Sequence, residues 1–72
     1  MAYEHREKVY VSVPATLIKA ESAKAFLCVI DGTEHWLPKS QFEEPDQYHK
    51  GDTDVELILT DWICKQKEIN YE

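Results

Sequence analysis

The dipeptide Asp31-Gly32 constrains this chain more than any other feature. It lies between two runs that read as strands, Ala23 to Asp31 and Thr33 to about Leu37. A two-residue loop of this kind favours a tight hairpin, because its central residues take positive φ and glycine does so without a Cβ penalty. In the first run Ala25, Leu27 and Val29 fall on one face and Phe26, Cys28 and Ile30 on the other. A strand apolar on both faces is expected at the centre of a sheet. In the second run His35, Trp36 and Leu37 lead to Pro38, which has no N–H to give to a ladder and ends the strand.

The flanking segments wrap round this hairpin. Upstream, Lys8 to Ala20 alternates as Val9, Val11 and Val13 against Tyr10 and Ser12, the period of a half-buried strand. Pro14 marks an edge position or a bulge, and the phase changes beyond it, as expected of a long first strand that bends. Glu21 and Ser22 read as a turn. Downstream, Ser40 starts a short 3₁₀ or irregular turn, with Phe42 folded inward as a plug. A polar loop bearing Pro45 and Gly51 precedes a last strand from Thr53 to Thr60. Thr60 or Asp61 then caps a short helix over DWICKQKEI, with Trp62 and Ile63 packed onto the barrel, Gln66 and Ile69 as further candidates for that face, and Lys65 and Lys67 near its C-terminus. The expectation is one mainly-β domain over 1–72, with 1–7 as a flexible start. Its expected form is a four- to five-stranded OB- or SH3-like barrel with a C-terminal helix.

At 72 residues the chain is one domain with a thin stability margin and little room for a deep cleft. No apolar run approaches the roughly 20 residues of a membrane span, and MAYEHREK lacks the apolar stretch of a secretory signal. A cytoplasmic location is expected. Cys28 and Cys64 fit it, with Cys28 a small buried thiol and a disulfide the lesser alternative. The net charge of −6 is uneven: Glu43 to Glu56 holds six acids and one lysine, or −5, and the rest is close to neutral. That balance opposes binding to a polyanion but leaves room for a local basic strip.

Few residues offer chemistry. Cys28, His35, His49, Cys64 and His5 include no pair at metal-ligand spacing, so neither a metal nor another cofactor is expected. No nucleophile elbow is present, and Gly32 and Gly51 belong to no phosphate-cradling loop. An enzyme is not expected. Two surfaces remain. Nucleic-acid binding on a small barrel needs exposed rings beside cations. Lys24, His35, Trp36, Lys39 and Ser40 form such a candidate if the hairpin brings Lys24 to the Trp36–Lys39 end. The second is the acidic, aromatic loop with Glu43, Glu44, Asp46, Tyr48 and His49, which reads as a protein-contact element.

From Ala20 onward the order of residues resembles a group of small proteins and appended domains of bacteriophages and prophages. The matching positions are Lys24, Ala25, Gly32, Trp36, Pro38, Ser40, Gln41 and Trp62, with WLPKSQ the most specific piece. The resemblance implies a phage-like origin and a compact β fold; it implies no activity. The expected function is a non-enzymatic interaction module, a phage-type accessory protein that binds a protein partner in the cytoplasm of a bacterial host. The alternative is single-stranded nucleic-acid binding through Trp36 and the nearby lysines. Open sheet edges also make a homodimer a state to consider.

Overall fold

A computed structural model describes residues 8–70. Four antiparallel strands form one sheet: β1 (Tyr10–Glu21), β2 (Ala25–Ile30), β3 (Thr33–Pro38) and β4 (Thr53–Thr60), in the order β3-β2-β1-β4. The expected flexible start, 1–7, lies outside the described residues. The hairpin forms as its turn chemistry requires. Asp31 and Gly32 have φ of 54° and 78°, the two positive values of a type I′ turn, whose twist matches that of the strands. Ile30 then faces Thr33, Cys28 faces His35 and Leu27 faces Trp36. β2 is central, as its two apolar faces demand.

β1 serves two partners in succession. Tyr10 to Leu17 pairs with β4, and Leu17 to Glu21 pairs with β2, with an irregularity between Ile18 and Ala20. Its buried positions run Val13, Ala15, Ile18, so the inward phase changes at Thr16–Leu17 rather than at Pro14. Pro14 lies in regular register opposite Glu56, on the half of β1 that pairs with β4 alone. Its missing N–H costs nothing on a side without a partner strand.

The sheet is open. β3 and β4 are its two edges, and no ladder joins them into the barrel expected from the sequence. After Pro38 the chain turns into a 3₁₀ segment, Lys39–Gln41, so β3 cannot run on to meet β4. Phe42 instead forms an isolated bridge with Leu59, and the Glu43 N–H donates to the Ile58 carbonyl at 3.0 Å. Phe42 is the expected plug. It is 3% exposed and its ring stands edge-on to Phe26 at 5.3 Å between centroids. Tyr48 completes the cluster at 5.3 Å from Phe42 and 6.4 Å from Phe26.

Thr60 caps the helix α1 (Asp61–Gln66), accepting a bond from the Ile63 N–H at 3.3 Å while its hydroxyl donates to Gln41 at 2.6 Å. The helix stops before its expected end. Glu68 takes φ of 59° and the Ile69 N–H donates back to the Cys64 carbonyl, which turns Ile69 into the core. Ile63 packs inward as expected. Trp62 does not; at 55% exposure it lies on the solvent side, because the residues facing the sheet from one short turn are Ile63 and Cys64.

Tyr48 is the polar link in this closure, since its hydroxyl donates to the Glu56 carbonyl at 3.0 Å and accepts from the Ile58 N–H at 3.1 Å. Tyr48→Phe leaves the packing and orphans two β4 groups. Urea unfolding is expected to show a loss of about 1–3 kcal/mol; an unchanged midpoint would show that water replaces the hydroxyl at no cost.

Candidate functional site

The hairpin register decides which candidate residues share a surface. Residues opposite one another on antiparallel strands point to the same face. Phe26, Cys28 and Leu37 point to the core, whereas Leu27 and its partner Trp36 point to the outer face. Leu17, opposite Val29, joins them. The outer face of β1, β2 and β3 thus carries half-buried Leu17, Leu27 and Val29 beside Trp36, which is 47% exposed. Among the described residues no helix or loop covers this strip.

The expected grouping of Lys24, His35, Trp36, Lys39 and Ser40 does not form one face. Lys24 and Lys39 do meet at the far end of the hairpin, where the Lys39 N–H donates to the Lys24 carbonyl at 2.8 Å. Yet the Lys39 ammonium lies 4.9 Å over the ring of Phe26, a core residue, and 2.7 Å from the Glu21 carboxylate. That bond holds Glu21 below the usual carboxylate range. Lys39 therefore stands on the opposite side of the sheet from Trp36. His35, one position from Trp36, is half-buried and lines a groove of about 960 Å³ with Thr33, Ile30, Glu56 and Ile69. Ser40 is exposed on the 3₁₀ turn. Lys24 is exposed, and Lys19 is paired at 2.5 Å with Glu34, the β3 neighbour of Trp36 on the same face.

The acidic loop also divides. Glu43, Glu44, Asp46 and His49 are exposed. Tyr48 is not a contact residue. It is 6% exposed and belongs to the aromatic cluster, and burial pushes its hydroxyl above the ordinary phenol range. Two further acids are occupied internally: Asp52 accepts from the His49 N–H at 2.9 Å, and Glu56 accepts from the Ser12 hydroxyl.

From the sequence, Leu27 and Val29 lie on one of two apolar faces of a central strand, and none of Leu17, Leu27 and Val29 is among the candidate surface residues. A signal for the first two was present, because a two-residue turn at 31–32 sets Leu27 opposite Trp36 by counting alone. A second exposed apolar pair, Val9 at 57% and Trp62 at 55%, lies where the Asp61 N–H donates to the Val9 carbonyl. Among the described residues, no group of three His, Cys, Asp or Glu side chains is placed to hold a metal ion. No described helix is long and apolar enough to cross a membrane. No protein-family model matches the chain, and neither a curated protein nor a solved structure matches it at a significant level.

Cys28 is fully buried, and burial pushes its thiol from an ordinary 9.0 up to about 12; burial also raises Cys64, with Asp61 adding to the rise. Both thiols are free. A raised folded-state value means that the unfolded chain releases these protons first. The Cys28 contribution to stability is thus intact below about pH 9 and falls as pH climbs toward 12, and Cys64 acts in the same direction. At pH 8 a disulfide reagent is expected to react with neither thiol of the folded chain and with both in denaturant. Rapid modification of the folded protein would contradict this burial.

Proposed function

We propose that this protein is a non-enzymatic interaction module that binds a protein partner through the outer face of β1, β2 and β3. The observation that carries this reading is Trp36, half-exposed on an uncovered strip with Leu17, Leu27 and Val29. A large aromatic with an apolar surround is the usual anchor of a protein interface. The exposed acids Glu43, Glu44 and Asp46 supply a second, charged contact for a basic partner surface. The resemblance of the WLPKSQ core to phage and prophage proteins makes a bacterial host protein, met in the cytoplasm, the natural partner class. In this reading the sheet is an open form of the small OB- or SH3-like barrel, with one face left to the partner.

Nucleic-acid binding is the weaker reading. A stacking platform needs cations beside the ring that are free to meet phosphates. Lys19 is matched by Glu34, and Lys39 by Glu21 on the other face. With −6 over the whole chain, the field repels a polyanion.

Capture from a bacterial lysate is expected to retain one polypeptide at near-stoichiometric level with the wild-type chain, and to lose it with Trp36→Ala. Single-stranded oligonucleotides at low salt, where a phosphate contact is strongest, are expected to leave tryptophan fluorescence unchanged. Absence of a stoichiometric partner would overturn the proposal. Quenching at low salt would transfer the site to nucleic acid.

A further inference from the structure

Besides β3, the open sheet has stretches of edge at β4 and along the N-terminal half of β1, and both are protected. At β4 the Phe42–Glu43 segment and the Tyr48 hydroxyl take up the Glu56 carbonyl and both backbone groups of Ile58. The free half of β1 carries Pro14. β3 has neither shield along its length. Natural sheets blunt such an edge with charged side chains, proline, a bulge or a cover; β3 has Pro38 at its end and one charged residue, Glu34, whose charge is matched by Lys19.

The hairpin turn shows which groups that edge presents. In a two-residue hairpin the flanking pair, Ile30 and Thr33, exchanges both backbone bonds, and bonded pairs then alternate along the strands. Thr33, His35 and Leu37 therefore bond inward to β2. The bond from the Lys39 N–H to the Lys24 carbonyl continues the same alternation. Glu34 and Trp36 direct their N–H and C=O groups outward. Among the described residues nothing bonds these outward groups.

We propose that β3 pairs antiparallel with β3 of a second copy of this chain, about a twofold axis at His35. Only residues whose groups point outward can exchange bonds across the seam, so Glu34 and Trp36 must meet outward-pointing residues. Centring the axis on His35 sets Glu34 against Trp36 of the second copy and uses the outward N–H and C=O groups of Glu34 and Trp36 in both copies. Centring it on Trp36 sets Glu34 against Pro38, which has no N–H to return. The chosen register also places Trp36 of the two copies diagonally, roughly 7–8 Å apart and within reach of each other. The two apolar strips become one face.

Charge agrees with this placement. Glu34 is already matched by Lys19 at 2.5 Å. The acid-rich segment Glu43 to Glu56 leads into β4, at the other end of the strand order. Pairing at β3 therefore joins nearly neutral edges. This inference is independent of the protein-partner reading, since self-association is read out without any partner.

Sedimentation of the full chain over a micromolar to millimolar range is the first test. The expected result is a reversible shift from 8.4 kDa to twice that mass. Glu34→Pro removes an outward N–H without touching a bond to β2 and is expected to remain monomeric. His35→Cys tests the register. Facing Cα atoms of a non-bonded pair lie about 4.5 Å apart, within disulfide range. Under mild oxidation this variant is expected to cross-link at least about tenfold faster than the exposed control Thr16→Cys, the native thiols being buried. Should Glu34→Pro fail to fold, the cross-linking rates decide. A monomer throughout, a dimer that survives Glu34→Pro in folded form, or equal cross-linking rates would overturn the proposal.

Discussion

The aromatic cluster of Phe26, Phe42 and Tyr48 is the contact on which the rest of the structure depends. A sheet of four strands with one short helix has little apolar surface to bury. Bringing two rings from a connecting segment onto Phe26 supplies much of what is lacking. The cluster also sets where the chain runs. Once Phe42 and Tyr48 turn inward, the backbone at Phe42 and Glu43 lies along β4 at Leu59 and Ile58, and the Tyr48 hydroxyl bonds the Glu56 carbonyl and the Ile58 N–H. One sheet edge is sealed as a by-product of filling the core, and the other is left open.

That asymmetry organises the surfaces. On the β4 side, Glu43, Glu44 and Asp46 project from a loop whose apolar residues are committed inward. On the β3 side, Trp36 stays half-exposed because its face has no covering layer. The outer strip of Leu17, Leu27 and Val29 is then an apolar surface lying next to an open edge. In the proposed function these two features together form the contact surface. The groove beside His35 is broad and open, and its polar walls include charges of both signs, Glu56 and Lys67 among them.

Much of the fold was legible in the residues. Asp31-Gly32 specified the hairpin, the double apolar phase of Ala25 to Ile30 placed β2 at the centre, and Thr60 was a readable helix cap. Three features were not legible. Barrel closure depends on how far β3 and β4 curl toward one another, which no local pattern encodes. The end of α1 rests on Glu68 adopting a left-handed φ, a conformation that sequence does not signal for glutamate. Tyr48 was hidden by its neighbours: an aromatic among six acids reads as exposed, and its burial follows from the distant partner Phe26. For the candidate surface, the faces were not legible. Lys39 and Trp36 are three apart and so fall on opposite sides of a strand, an alternation that continues through Pro38.

The central claim is that β4 is shielded and β3 is open. Residue-resolved amide hydrogen exchange on dilute protein measures it directly. The account predicts slow exchange at His35, Leu37 and Ile58, whose N–H groups are bonded, and fast exchange at Glu34 and Trp36, whose N–H groups face solvent. Protection of Glu34 and Trp36 in the monomer, or rapid exchange at Ile58, would contradict it.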